Sequence, residues 1–185
     1  RQYIRTASML LEEEHYEQLR EYFHQFAKES SEKMQAPMCY CKNMSVDAIL
    51  HYYAGQLEDA GVSFHHSIEV PQKMKITDLD ICRIFGNLLE NAVRAVKADK
   101  ETEEPYVNCI CRVRMGKLLI DIENSYSGEV RRNGDVFYST SHSGQGIGTA
   151  SVSKTAEKYG GYADFEASEG VFRANVFIPL ENSGS

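Results

Sequence analysis

The stretch NLLENAVRA, residues 87–95, decides how this chain reads. Asn87, Asn91 and Arg94 stand at i, i+4 and i+7, so a helix places them on one face, and Glu90 at i+3 borders that face. Ile81, Phe85, Leu88, Leu89, Val93 and Val96 supply the apolar side of a helix expected over residues 77–97. Thr77 can cap it, and Asp78 and Asp80 load its first turn, which suits the helix dipole. Two amides, a carboxylate and a guanidinium along one stripe can hold a magnesium–phosphate group, because magnesium favours oxygen ligands and keeps several waters. The plainer reading of the same spacing is a solvated polar face, and spacing alone leaves both open.

Beyond this helix the period changes. Two strands are expected, Tyr106–Arg114 and residues 117–123, joined tightly at Met115-Gly116, a hairpin signal. Residues 125–144 are rich in Ser, Gly and charge with little periodicity, so they read as a long loop, and loops of that length within a compact domain are functional or disordered. The loop runs into GQGIG, in which Gly144, Gly146, Ile147 and Gly148 open a helix expected over 147–159 and stopped by Gly160-Gly161. Glycines at a helix start let the backbone approach phosphates, and the unpaired N–H groups there favour anions. A dinucleotide-binding reading would require a strand directly before the glycines, and YSTSHS is not one. Two last strands are expected over 162–167 and 171–180.

Upstream, residues 1–35 read as helix, with Ile4, Ala7, Leu10 and Leu11 and then Leu19, Tyr22, Phe23 and Phe26 at helical spacing. The polar run EEEHYEQ between them suits two helices, and Pro37 closes the region. A further helix over 46–60 presents Ile49, Leu50, Tyr53 and Leu57, and a strand follows over 62–71. The expected fold is α+β: a two-layer sandwich whose mixed sheet is covered by helices on one face, preceded by a helical hairpin. The expected division is 1–36 for the hairpin and 37–185 for the mixed domain.

The 185 residues carry 20 Lys and Arg against 27 Asp and Glu, a formal charge of −7. That balance argues against non-specific nucleic-acid binding, which needs clustered basic residues, but not against a small anion at a local site. Charged residues at 25% and hydrophobic residues at 42% are ordinary for a folded domain and exclude wholesale disorder. No apolar run reaches the ~18 residues needed to span a bilayer. The chain opens on Arg1, which points to a fragment of something longer. Five Cys favour reduced thiols and a cytosolic context. Cys39-x-Cys41 and Cys109-x-Cys111 are too closely spaced for common zinc sites and read as buried thiols, the second pair on one face of a strand. His65 and His66 read as surface residues at a strand edge.

In order, the polar-faced helix, the hairpin, the long loop and the glycine-rich helix start resemble the nucleotide-binding domain of sensor histidine kinases, the Bergerat (GHKL-type) fold shared with gyrase and MutL. NLLENAVRA resembles that family's N box, GQGIG its second glycine box, and 125–144 its ATP lid. YCKNMSVDAILHYYAGQLEDAGVSF and IENSYSG are similar to the quorum-sensing receptor kinases that signal to LytTR-type response regulators, and RQYIRTASMLLEEEHYEQLREYF resembles their dimerisation hairpin.

The resemblance implies ATP with Mg2+, the metal held by Asn91 aided by Asn87, and phosphates cradled by Gly144, Gly146, Ile147 and Gly148 with Arg94. It implies phosphate transfer to a histidine just upstream of Arg1 and thence to a response regulator. It also implies a homodimer through the N-terminal helices and the cytoplasmic part of a membrane-bound receptor. The family's Asp-x-Gly-x-Gly, whose Asp accepts the adenine amino group, is replaced here by Asn124-Ser125-Tyr126, and the amide of Asn124 accepts without charge. His142 stands near where the subgroup often has Lys, and Thr149 where Leu is usual. Asn87 is not a general base, whereas hydrolytic relatives place Glu there; Glu90 is the carboxylate left to act as one, or to stand at the pocket rim. The alternatives are an anti-sigma-type serine kinase of the same fold and a nucleotide-independent interaction module with a degenerate pocket.

Overall fold

The computed structural model describes residues 39–72, 74–127, 132–133, 136–137 and 147–180. The expected hairpin, with His15, His24, Tyr22, Phe23 and Phe26, lies outside these residues.

Helix α1 spans Met44–Glu58. It starts two residues earlier than expected because the Asn43 side chain accepts the Val46 N–H and caps it. The Asp47 carboxylate then accepts the N–H groups of Tyr40 and Cys41 at 2.8 and 3.1 Å and folds the incoming chain over the helix. Strand β1 is Ser63–Ile68, and helix α2 is Asp78–Ala98, capped by Thr77 as its sequence predicts. Strands β2, Tyr106–Arg114, and β3, Lys117–Ser125, meet at Met115 and Gly116, whose φ angles of 50° and 71° make the left-handed pair of a tight hairpin. β3 runs two residues beyond its expected end. Ser125 pairs with Val171, and its hydroxyl accepts the Tyr106 N–H at 3.0 Å.

The loop expected over 125–144 is not wholly irregular: Arg132–Asn133 (β4) and Val136–Phe137 (β5) pair antiparallel. Helix α3 is Ile147–Lys158, and β6, Tyr162–Ser168, turns into β7, Val171–Pro179.

The main sheet has the order β1-β2-β3-β7-β6. β1 is parallel to β2, so α2 is the crossover between them, and the other pairings are antiparallel. This is the mixed sheet with helices on one face that the sequence predicts. Alternation places Val107, Cys109 and Cys111 of β2, Leu118, Ile120 and Ile122 of β3 and Ala174, Val176 and Ile178 of β7 on the buried face. They join Ile81, Ile84, Phe85, Leu88 and Leu89 of α2 in one core. Burial pushes up the pKa of the Cys109 and Cys111 thiols, which suits inert packing groups. Cys39 departs from the buried reading of its pair: it is exposed, because it precedes the residues that Asp47 pins, whereas Cys41 is buried. His65 and His66 are exposed on edge strand β1, the His66 ring edge-on to Tyr40 at 4.7 Å. No helix among the described residues is long and apolar enough to cross a membrane.

Candidate functional site

α2 presents different flanks to its neighbours. The flank bearing Asn87 and Asn91 meets the first turn of α3 at Gly148. A Cβ on Gly148 would lie 3.1 Å from Asn91 Nδ2 and 3.3 Å from Asn87 Oδ1, so only glycine gives this approach without displacing a neighbour. Asn87 Nδ2 donates to the Arg83 carbonyl at 2.7 Å, which leaves its oxygen turned toward Gly148. The Arg94 guanidinium donates to Asn91 Oδ1 at 2.7 Å. Asn87, Asn91, Arg94 and Gly148 are thus one constellation, with a guanidinium and a helix N-terminus converging on two amides. This composition suits an anion accompanied by a hard cation.

Glu90 is not gathered into that constellation. It stands about 60° round the helix from Asn87 and is exposed on the flank toward α1. Burial, and after it the Glu90 carboxylate, raises the pKa of Tyr53 on α1. Asn124 is on β3, between Val107 and Phe172 in the ladder, and only 2% exposed. Its amide nitrogen donates to the Ser125 carbonyl at 2.9 Å, which leaves its carbonyl oxygen as the acceptor. Ile147 opens α3. His142, Gly144 and Gly146 lie outside the described residues.

The sequence reading missed the partners of two carboxylates. Asp80 is 3% exposed. It accepts hydrogen bonds from Lys158 Nζ at 2.5 Å, from the Tyr159 hydroxyl at 2.7 Å and from Arg83 at 2.8 Å. The Tyr159 oxygen in turn accepts the Thr77 N–H at 3.2 Å. Lys158 first, and then Tyr159, hold the Asp80 carboxyl down at about 2. Since Asp80 in the first turn of α2 grips the last turn of α3 while Gly148 meets Asn91 farther along α2, the two helices run antiparallel. The only sequence signal was an acid beside Ile81, which the helix dipole already explained.

Asp99 caps the other end of α2. It accepts from the Ser127 and Thr102 hydroxyls, each at 2.5 Å, and from the N–H groups of Glu101 and Thr102, and these bonds, led by Ser127, hold its carboxyl well below the usual range. It ties the end of α2 to the residues just past β3. Asp99-x-x-Thr102 is a local turn pattern that a reader could have found.

Among the described residues no cluster of three or more His, Cys, Asp or Glu is disposed to hold a metal. Oxygen ligation at Asn87 and Asn91 is what the constellation offers instead. A separate recess of about 490 Å3 is lined by Arg112, Asp121, Tyr162, Asp164 and Phe177. These residues alternate with the core-facing ones, so the recess opens on the face of the sheet away from α2.

A family model described as the GHKL domain matches residues 75–179. The chain belongs to the GHKL domain family. The match starts just before α2 and ends with β7, so it contains Asn87, Asn91, Gly148 and Asn124. Among solved structures this GHKL domain is similar to the catalytic domain of histidine kinase ThkA, at 18% identity and TM-score 0.59 over 75% of this chain and 93% of that one. It is similar to Acinetobacter baumannii histidine kinase AdeS, at 14% identity and TM-score 0.57 over 95% and 83%. It is also similar to the mycobacterial sensor histidine kinase MprB, at 18% identity and TM-score 0.54 over 73% and 93%. ThkA has also been solved in complex with the response regulator TrrA, and there the match has 16% identity and TM-score 0.57 over 75% of this chain and 40% of that one. At these identities the likeness is one of fold. No curated protein matches the chain in sequence.

Proposed function

We propose that this GHKL domain is the Mg-ATP-binding catalytic part of a sensor histidine kinase. The observation that carries the reading is the close apposition of Gly148 to Asn87 and Asn91. In this reading residues 37–185 form the catalytic domain and 1–36 part of a dimerisation hairpin. The γ-phosphate passes to a histidine upstream of Arg1 and then to a response regulator, a reading that the complex of ThkA with TrrA supports. The likeness of IENSYSG and of the 40–64 region to quorum-sensing receptor kinases supports reading it further as the cytoplasmic part of a receptor acting on LytTR-type regulators.

Magnesium bound at the site would supply neutralisation of phosphate charge. Asn91 and Asn87 would hold it through their amide oxygens. Because Arg94 already donates to Asn91 Oδ1, a cation on that oxygen would require the guanidinium to turn aside, which would free its N–H groups for phosphate oxygens. The start of α3 at Ile147 and Gly148 would present its backbone to those phosphates; Gly144, Gly146 and His142 are assigned to the same role by the resemblance alone. Asn124 would accept the adenine amino group through its oxygen, since its nitrogen is engaged by Ser125. Glu90, exposed on the adjoining flank of α2, is the carboxylate that the resemblance offers as acceptor of the nucleophile's proton. Transfer of a phosphoryl group asks mainly for positioning and charge neutralisation, which suits a site built of amides and backbone. The acidic balance of the chain is no obstacle, because these groups act locally.

Calorimetry with a non-hydrolysable ATP analogue tests the reading. Binding that strengthens with Mg2+ and loses that dependence in Asn91→Ala is expected. The replacement of the Asp-x-Gly-x-Gly motif favours one rival, a nucleotide-independent interaction module, and no binding at millimolar analogue would establish it.

A further inference from the structure

Helix α3 is held in two very different ways. Along its length it buries small side chains, Val152, Thr155 and Ala156. Such residues make shallow ridges, and shallow ridges resist sliding of one helix along another weakly. The hydroxyl of Thr155 is turned back onto its own helix, donating to the Ser151 carbonyl at 2.7 Å, so it adds no grip on α2. At the last turn the contact changes character. Lys158 and Tyr159 both donate to the buried Asp80 carboxylate, and Tyr159 also receives the Thr77 N–H, so four residues of two elements share one polar knot. Such a knot is directional: its bonds to one carboxylate depend on both distance and angle, so sliding α3 along α2 cannot keep all of them at good geometry.

At the opposite end of the same helix Gly148 stands against Asn91 with no spare room. We propose that Asp80 is a positioning residue, fixing the axial register of α3 so that its first turn meets Asn91 correctly about 15 Å away. The α3 helix transmits the constraint as a rigid rod of eleven residues from Gly148 to Lys158. Asp80 touches no ligand in this scheme. It acts through Lys158, Tyr159 and the helix between. The inference rests on the reading of Asn91 and Gly148 as parts of a nucleotide site, but its mechanical half stands on the fold alone.

The test separates register from stability and from the ATP reading. Tyr159→Phe removes one hydroxyl from the knot and keeps the ring; Asp80→Asn removes the charge. Ile178→Val, a core change on β7 at a fully buried position, serves as a control of comparable thermal loss. In the ligand-free protein, the Asn91 side-chain amide and Gly148 backbone amide NMR signals are expected to move in Tyr159→Phe and Asp80→Asn and to stay put in Ile178→Val. Well below the unfolding midpoint, affinity for the Mg-ATP analogue is expected to fall about 3–10-fold in Tyr159→Phe, the equivalent of one hydrogen bond, and to be unchanged in Ile178→Val. Unmoved Asn91 and Gly148 signals in the knot variants would overturn the proposal. So would wild-type affinity in a Tyr159→Phe protein whose parent binds the analogue. If the parent binds no analogue, the ATP reading falls, and the amide signals alone decide whether Asp80 sets the register. Should Asp80→Asn not fold, Tyr159→Phe carries both readouts.

Discussion

Replacing Gly148 by alanine should separate stability from ligand binding. The added methyl would stand 3.1 Å from Asn91 Nδ2 and 3.3 Å from Asn87 Oδ1, a few tenths of an ångström inside comfortable contact. Both atoms are the ends of side chains that can rotate, so relief is cheap for the fold. The position is helical, where alanine is intrinsically better than glycine by up to about 1 kcal/mol. The two effects nearly cancel, and the thermal midpoint should stay within about 4 °C of the parent. Binding responds differently. Turning Asn91 aside swings its oxygen away from the cation and disturbs the 2.7 Å bond from Arg94. Losing one interaction with a charged group costs about 1.5–3 kcal/mol, which is about 10–150-fold in affinity for the Mg-ATP analogue. Calorimetry beside thermal unfolding on the same preparation reads both quantities. A stable alanine variant with parental affinity would refute the assignment of Asn91 and Gly148 to one site. A proportionate fall in both would mean that the contact is only packing.

Gly161→Ala should be far more damaging than Gly160→Ala. At Gly161 a Cβ would come within 2.0 Å of the Phe177 carbonyl oxygen, which is backbone and cannot yield, so a loss above about 3 kcal/mol is expected in urea unfolding. At Gly160 the space is open and only the left-handed φ of 72° is penalised, about 1–2 kcal/mol; equal losses would show that β7 is looser there than the structure has it. Acid should loosen the Asp80 knot. Its carboxyl is depressed from 3.8 to about 2, so the stability it confers is complete above pH ~4 and is lost as pH falls toward 2. Discounted for the exposed Lys158 head, that contribution is about 1–2 kcal/mol. The stability gap between the parent and Asp80→Asn should therefore shrink between pH 5 and pH ~2.5, and a gap independent of pH would assign it to packing.

Much of this architecture is local enough to be legible in the sequence. Ile81, Phe85, Leu88, Leu89, Val93 and Val96 recur at helical spacing and all six are buried. Met115-Gly116 and the strands flanking it form the expected hairpin, because turn chemistry and alternation lie within a few residues of each other. The polar stripe of Asn87, Asn91 and Arg94 likewise follows from spacing. The pairing of β3 with β7 does not: Ser125 and Val171 are neighbours across a ladder but far apart in the chain, and nothing local announces their register. Asp80 was hidden for the same reason, since its partners Lys158 and Tyr159 arrive from the far end of another helix. Glu90 stands on the flank toward α1, which its place in the sequence one residue before Asn91 did not announce.

The β3–β7 ladder runs unbroken from Lys117–Pro179 to Ser125–Val171. It is a seam between the described residues of 40–127 and those of 147–180, and the Asp80 knot is a second fastening between the same two parts. Covalent continuity across the intervening stretch is therefore not what keeps them together. A chain opened in that stretch would retain both fastenings, and added length there would cost only the slowly growing entropy of a longer loop. The amides of α2 and the first turn of α3 would keep their places if residues 128–141 changed in length.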